Sequence, residues 1–168
     1  MQLRNLAIAS LFSLLSFQAL AAGDDKGLYF GAGVTSIEAD DSSLGGDDNS
    51  YKVFAGYRLN SYLAFEGAYV DLGELEDNNL KFDGRSVQAA AHLGFPVGDR
   101  IRVFGSVGAH AWDSDGNVED DDTGVDLTYG AGVEMDVFRN IGIRAEYEVL
   151  EVGGLDLNQT TASAYMLF

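Results

Sequence analysis

Few residues in this chain have the chemistry of a base or a nucleophile. The chain contains two histidines, His92 and His110, and no cysteine. Ser106 precedes His110 by four residues, so these two form a serine and histidine pair to consider. A serine nucleophile needs a base within hydrogen-bond reach, and a third group must orient that base. The sequence has no His-x-Ser motif, so we predict that both histidines are satisfied polar groups of the fold and that no residue is catalytic.

The acidic segment 113–122 could offer oxygen ligands to a metal ion. Its first residues, DSDGN, superficially resemble a calcium-binding loop. An EF-hand loop has glycine at position six and a bidentate glutamate at position twelve. Here Gly116 stands at position four and Gly124 at position twelve, so the segment is not an EF-hand. We predict no metal site and no cofactor; the alternative is a weak association of Ca²⁺ or Mg²⁺ with the acidic loops.

The charge and composition of the chain exclude several kinds of partner. The 168 residues carry a formal charge of −17, which disfavours nucleic acid and anionic membrane surfaces as partners. Two Gly-Ala-Gly runs, at 31–33 and 130–132, lie within alternating segments with no helix predicted after them, so they are not phosphate-binding loops. The 21 glycines and the single proline suit a sheet with tight turns and crowded interior positions.

The amino terminus has the layout of a secretory signal peptide. Arg4 supplies one positive charge, residues 6–17 form a short apolar run, and Ala19 and Ala21 are small residues before a cleavage site. We predict a signal peptide at 1–21 and a single domain at 22–168. No later stretch reaches the roughly eighteen unbroken apolar residues of a membrane-spanning helix. If the exported domain crosses a membrane, it must therefore cross it with strands.

Eight segments of the predicted domain alternate between apolar and polar residues with a period of two, which is the pattern of a β-strand. In the second segment, Tyr51 and Val53 alternate with Lys52 and Phe54. Segments of about ten residues match a tilted transmembrane strand better than the five or six residues usual in globular sheets. The predicted strands are 28–37, 50–59, 62–72, 82–95, 101–112, 125–137, 141–152 and 159–168.

The connections between these strands alternate between short and long. Outer-membrane barrels have short turns at the periplasmic end and longer loops at the cell surface. We therefore predict an all-β fold, an eight-stranded antiparallel up-and-down transmembrane β-barrel, with both ends of the domain on the periplasmic side. The short connections are 60–61, 96–100 and 138–140, and the longer, mostly acidic ones are 40–49, 73–81, 113–124 and 153–158.

The two faces of the predicted strands differ in kind. One face carries almost no charge and is rich in Val, Leu, Tyr and Phe, whereas the other mixes glycines with similar numbers of acidic and basic residues. Eight strands enclose a core just wide enough for side chains, and charges buried there must be paired. We predict that the charged face points inward, with Lys52 inside and Tyr51 outside. The predicted lumen charge network is Lys52, Arg58, Glu66, Arg102, Glu134, Arg144 and Glu146.

Two phrases of the sequence, FAGYRLNSYLAFEGAYVDLG at 54–73 and YGAGVEMDVFRNIGIRAEYEVL at 129–150, resemble the small eight-stranded outer-membrane barrels of the OmpA-type transmembrane domain and opacity-protein group. The resemblance implies location in the outer membrane and contact with its lipid and lipopolysaccharide. The last strand resembles the carboxyl end of these barrels, where Phe168 would be the signal read by the barrel assembly machinery. Met166 departs from the family pattern, which has an aromatic residue two places before the end.

We predict a non-enzymatic integral outer-membrane barrel with a structural role in the envelope or a contact role at the cell surface. Lipid A deacylases resemble this size and fold, but they place a His and a Ser close together near the last strand, where this chain offers only Ser163. Two alternatives remain: a soluble periplasmic lipocalin-like barrel that binds a lipid-like ligand, and a narrow pore for small solutes. The lumen side chains should leave no continuous channel. We expect a monomer.

Overall fold

The computed structural model describes residues 26–39, 50–77, 80–115, 123–152 and 155–168. The predicted signal peptide, the whole of the predicted loop 40–49 and parts of the other three acidic loops lie outside the described residues. No helix in the described part is long and apolar enough to cross a membrane. The strands are β1 (Gly27–Ala39), β2 (Ser50–Arg58), β3 (Leu63–Asp77), β4 (Leu80–Val97), β5 (Ile101–Asp115), β6 (Thr123–Asp136), β7 (Ile141–Val152) and β8 (Leu155–Leu167).

The strands form one closed antiparallel barrel, in which each pairs with its neighbours in sequence and β8 pairs with β1. The pairing is offset around the barrel. A row of paired residues that starts at Gly33 passes through Lys52 and Val70 to Ser86 on β4. When the pairing is followed from Gly33 in the opposite direction, through β8, β7, β6 and β5, it reaches β4 at Pro96. The offset is ten residues (96 − 86), so the strands tilt and residues from different rows face each other across the lumen.

The side chains of the wall alternate between the lumen and the outside. On β2, Lys52 is 1% exposed and Tyr51 is 46% exposed. The same alternation of buried and exposed positions continues along β5, β6 and β7, because successive side chains of a strand point to opposite faces of the sheet. The predicted assignment of the two faces is confirmed for the described strands. The barrel therefore has polar side chains inside and apolar side chains outside.

The outer surface is an apolar band with aromatic residues at both borders. Near the short turns, Phe30 contacts Phe168 and Tyr62 contacts Phe95, with ring centroids 5.9 and 6.4 Å apart. Near the loops, a third pair joins Tyr51 to Tyr69 at 6.4 Å. Aromatic girdles of this kind lie at the two interfaces of a transmembrane barrel. Between them, the exposed apolar residues include Val34, Val53, Leu93, Val103, Val107 and Val133.

The strands are longer at the loop end than the alternation predicts. β3 continues to Asp77 and β4 begins at Leu80, so most of the predicted loop 73–81 is strand. The pairing register of these strands shifts between Asp71 and Glu74 and then resumes. Acidic residues led us to predict a loop, but the backbone hydrogen bonds of a hairpin do not depend on alternation of side chains. For the same reason β5 and β6 extend into the predicted loop 113–124, and β8 extends into the predicted loop 153–158.

Two smaller corrections concern the short-turn end. Pro96 was predicted in a turn, but it belongs to β4, where it pairs with Arg102 on β5. The turn between β2 and β3 is longer than the predicted Asn60–Ser61 pair. The side-chain oxygen of Asn60 accepts hydrogen bonds from the backbone N–H groups of Tyr62 and Leu63 at 2.8 and 2.9 Å. Such a side-chain bond replaces the ladder at a turn, so β3 begins at Leu63.

Candidate functional site

The lumen collects the charged side chains of the wall and is the candidate functional site. All seven residues of the predicted network lie there, and none is more than 7% exposed. They come from β2, β3, β5, β6 and β7. The tilt of the strands brings distant parts of the chain together; Lys52 and Glu146, for example, are 94 residues apart in sequence and form an ion pair. The ion pairs form two groups, one nearer the turns and one nearer the loops.

The turn-side cluster consists of Arg58, Glu66, Arg102, Glu134 and Arg144. Glu134 is its centre: Oε2 accepts hydrogen bonds from Arg58 Nη2 at 2.7 Å and from Arg102 Nη1 at 3.1 Å. Its other oxygen, Oε1, accepts two more from Arg144, at 2.7 Å from Nη2 and 3.0 Å from Nε. Arg144 then donates from Nη1 to Glu66 Oε2 at 2.6 Å. One carboxylate thus neutralises parts of three guanidinium groups, which a single carboxylate can do because it has about four acceptor sites.

Arg144 is also enclosed by aromatic rings. Its Cζ atom lies 4.5 Å from the ring centroid of Phe54 and 5.3 Å from that of Phe104. The rings of Tyr29 and Tyr165 lie 5.5 and 5.7 Å from the same atom. The faces of such rings attract a desolvated cation. Arg144 and these rings therefore occupy the middle of the lumen.

The loop-side cluster consists of Lys52, Glu146, Glu148 and Gln159. Lys52 Nζ lies 3.0 Å from Glu146 Oε2 and 2.7 Å from Glu148 Oε2. Gln159 Nε2 donates to the same Glu148 oxygen at 3.0 Å. All four residues are at most 3% exposed. Here two carboxylates share one ammonium group, so the local charge balance differs from that of the turn-side cluster.

Sequence reasoning missed several lumen residues that belong to these clusters. Glu148 was not included, although it follows Glu146 by two residues and period two places both on one face. The aromatic residues Tyr29, Phe54 and Phe104 were also not assigned to the network. Their apolar rings are typical of the lipid-facing side. The only signal in the sequence was that they alternate in step with the inward-facing polar residues of the same strands.

His110 is not placed as a base for Ser106. Its Nδ1 lies 3.3 Å from Ser86 Oγ, and its Nε2 lies 2.9 Å from the backbone oxygen of Glu151. Ser106 and His110 share a face of β5, but four residues of strand separate them by roughly 13 Å. The pair considered from the sequence is therefore no catalytic pair. His110 instead joins β5 to β4 and β7 near the loop end.

His92 is packed as part of the lumen wall. Its ring stacks on Phe104 with centroids 4.8 Å apart and an angle of 8° between the planes. Its Nε2 lies 4.0 Å from Glu66 Oε1, too far for a hydrogen bond. Within the described ranges, no three His, Cys, Asp or Glu side chains are grouped so that they could hold a metal ion.

The barrel has an apolar exterior and a charged interior, which is the arrangement of a transmembrane β-barrel. The family model for the outer membrane protein beta-barrel domain matches residues 7–166. The chain belongs to that family. It is therefore an integral β-barrel of the outer membrane, as predicted. The soluble lipocalin-like alternative is wrong, because it requires an apolar lumen for its ligand and a polar outer surface.

Curated relatives of this chain are also named as outer membrane proteins. Over 167 residues the chain is 28% identical to outer membrane protein A of Salmonella typhi, a match that covers 87% of this chain and 48% of that protein. Over 103 residues it is 36% identical to outer membrane protein A of Klebsiella aerogenes, which covers 56% of this chain and 29% of that protein. The chain thus spans about half or less of the length of these relatives.

Solved structures share the barrel fold at low sequence identity. Neisserial surface protein A matches with a TM-score of 0.69 and 19% identity, over 85% of this chain and 97% of that one. The amino-terminal barrel of Pseudomonas aeruginosa OprF matches with a TM-score of 0.64 and 17% identity, over 86% and 98% of the two chains. Ail of Yersinia pestis gives 0.62 and 18% over 86% and 98%. At these identities the likeness concerns the fold alone.

Proposed function

We propose that this outer-membrane barrel is neither an enzyme nor an open pore, and that it strengthens the envelope and makes contacts at the cell surface. The observation that supports a closed lumen is the position of Arg144. It makes ion pairs with Glu66 and Glu134 and lies among the rings of Phe54 and Phe104. A solute that crosses the barrel would have to separate these pairs and leave charges unmatched in a dry interior, which is costly.

Planar bilayers test the closed lumen directly. We expect little or no conductance from the refolded full chain in symmetric salt solution. Arg144→Ala is the informative variant, since removal of the guanidinium opens the middle of the lumen, and it should conduct more often than the parent. Sustained and reproducible single-channel currents from the unsubstituted protein would contradict the proposal and favour the narrow pore.

The contact role follows from the acidic loop end. The predicted loops 40–49, 73–81 and 113–124 are rich in aspartate and glutamate, and the whole chain carries a formal charge of −17. Negative charge concentrated at one end of a protein attracts cations. We propose that Ca²⁺ or Mg²⁺ binds weakly here and bridges the loops to the phosphates of lipopolysaccharide.

The same charge bears on a ligand found with one of the structural neighbours. The structure of Ail has been solved with sucrose octasulfate, a heparin analogue. A chain with a formal charge of −17 should repel such a polyanion. Titration calorimetry of the detergent-solubilised barrel should therefore detect weak binding of Ca²⁺ and none of sucrose octasulfate. Binding of the sulfated sugar, or no heat from Ca²⁺, would contradict the cation-bridged contact.

We further propose that the barrel assembly machinery recognises Phe168 and that the barrel is a monomer. The N–H of Phe168 donates to the backbone oxygen of Leu28 at 2.8 Å, yet its side chain is 60% exposed. Phe168→Ala should lower the amount of folded protein in the outer membrane of cells but hardly change the heat stability of barrel refolded in detergent. Phe95→Ala is the matched control, because this residue is 64% exposed and lies on β4, which does not pair with β8. Equal yields from both variants would exclude the signal.

A further inference from the structure

The loop-side cluster has one more negative charge than positive charge. Lys52 is paired with both Glu146 and Glu148, which gives a formal charge of −1 (1 − 2). The turn-side cluster has the opposite excess, three arginines against two glutamates, or +1 (3 − 2). Asp136, which lies at the turn end and accepts a hydrogen bond from Tyr165 at 2.7 Å, offsets that excess. The unmatched charge of the lumen is therefore concentrated near the loops.

The loop-side cluster also has more hydrogen-bond acceptors than donors. Glu146 Oε1 and Gln159 Oε1 are buried and have no hydrogen-bond partner in the structure. An ionised carboxylate can only accept, and the amide nitrogen of Gln159 is already bonded to Glu148 and to Thr161 Oγ1. The Thr161 hydroxyl is bonded to Thr35 Oγ1 at 2.8 Å. The ammonium group of Lys52 has three N–H donors and uses two of them on Glu146 and Glu148, so it can serve at most one of the two oxygens. The other is then a buried polar atom without a partner, which a bound water or ion would satisfy.

Glu146 and Gln159 are diagonal neighbours on the lumen face of β7 and β8, because Glu146 pairs with Thr161 and Glu148 pairs with Gln159. Glu146 Oε1 belongs to the carboxylate whose other oxygen is 3.0 Å from Lys52 Nζ. Gln159 Oε1 belongs to the amide whose nitrogen is 3.0 Å from Glu148 Oε2, and that oxygen is 2.7 Å from the same Nζ. Carboxylate and amide oxygens are ligands of hard cations. A water molecule could satisfy the oxygens but would leave the charge unbalanced.

We propose that the loop-side cluster binds one small monovalent cation such as Na⁺, held by Glu146 Oε1 and Gln159 Oε1. One such ion cancels the charge excess, whereas a divalent ion would reverse it. The described residues also lack the group of three acidic or imidazole side chains that a tightly held divalent metal needs. The acidic loops raise the concentration of cations at this end of the barrel.

Thermal unfolding of the full chain in detergent micelles tests this site. The unfolding temperature is measured in NaCl and in choline chloride at equal ionic strength, because choline is too large for the cluster and supplies the same screening. A ligand that binds only the folded state stabilises it by mass action. We expect NaCl to raise the unfolding temperature by about 3–6 °C at ten times the dissociation constant. Equal unfolding temperatures in the two salts would mean that only water occupies the site and would overturn the proposal.

Two variants with the same substitution locate the effect. Glu146→Gln removes the excess charge and replaces one of the two carboxylate oxygens by an amide nitrogen, so the difference between the two salts should disappear. Glu66→Gln changes a buried glutamate of the turn-side cluster, and it should lower stability in both salts while the difference between them remains. If Glu146→Gln keeps the full difference, the ions act on the acidic loops and the proposal is wrong. If Glu66→Gln also loses it, the effect is a general property of the lumen, and the specific site is excluded.

Discussion

Arg144 shows at the scale of one residue how this lumen tolerates buried charge. The guanidinium has lost its water, since its side chain is 0% exposed. Hydrogen bonds to Glu66 and Glu134 and contacts with the surrounding rings replace that hydration. A buried pair of this kind contributes little net stability, but removal of one partner leaves the others unmatched. The network is therefore better described as a set of mutually dependent charges than as a sum of favourable pairs.

Arg144→Ala should destabilise the barrel by about 3–5 kcal/mol, because Glu66 would remain buried without its arginine and Glu134 would lose one of its three. Arg139→Ala is the control, since Arg139 is exposed in the turn between β6 and β7, and its loss should cost about 0.5 kcal/mol or less. Denaturant unfolding of both variants in lipid vesicles gives the comparison. Equal, negligible effects would show that the lumen is hydrated enough to tolerate an unpaired carboxylate.

Gly56 illustrates the steric side of the same crowded interior. It faces the lumen on β2, and a Cβ atom there would meet the ring of Tyr29 and the backbone oxygen of Phe65. Tyr29 cannot easily move, because its hydroxyl donates to Glu66 at 2.9 Å. Gly56→Ala should therefore destabilise the barrel by about 1–3 kcal/mol. At Gly67 on β3 a Cβ atom meets nothing closer than 3.8 Å, so Gly67→Ala should be neutral or slightly stabilising; the reverse order would contradict this account.

At the scale of the elements, the wall and its extension towards the loops have different tasks. On the turn side of the pair Asp71 and Arg85, both β3 and β4 are hydrogen-bonded to two neighbouring strands and belong to the closed wall. Beyond Asp71 no described β2 residue pairs with β3, whereas β3 and β4 still pair with each other up to Asp77 and Leu80. Tyr51 and Tyr69 belong to the aromatic border on this side, and β3 and β4 continue beyond it. This part of the hairpin therefore extends beyond the hydrocarbon of the membrane.

Replacement of residues 74–83 by an Asn-Gly turn should leave folding and heat stability nearly unchanged. The deleted pairs belong to the extension, and Asn-Gly supports a two-residue hairpin between the shortened strands. Deletion of Gly67 alone is the control, because a slip of one residue turns every later side chain of β3 to the opposite face. The control should fail to fold, as judged by circular dichroism and by migration of unboiled samples. If both deletions fold equally well, the register does not depend on the faces of the wall.

At the scale of the whole molecule, the closed ladder should make the barrel resistant to detergent. The described strands leave no free edge along the wall, since β1 and β8 are paired from Tyr29 and Leu167 to Ala39 and Leu157. Opening the barrel requires the simultaneous loss of many backbone hydrogen bonds. Unboiled samples should therefore migrate differently from boiled samples in SDS gels. Identical migration, with the protein recovered in the soluble periplasmic fraction, would contradict the membrane assignment.

The sequence by itself determined the class of fold and the sidedness of the wall. The alternation of Tyr51 with Lys52 settles which face is charged, because period two is a local property of the backbone. Charged residues on one face and lipid-compatible ones on the other then predict a transmembrane barrel. Seven lumen residues could be named in this way, but not their partners.

Only the tertiary structure decided which charges meet. Lys52 contacts Glu146 and Glu148 on the far side of the lumen, and this choice depends on the ten-residue offset of the pairing (96 − 86), which no local pattern contains. The inward aromatic rings were missed for a related reason. Phe54 and Phe104 are of a residue type that is common on the lipid-facing side. Their contacts with Arg144 arise only when the strands close around that cation. The local pattern fixes the face of each side chain, whereas closure and tilt fix its partners.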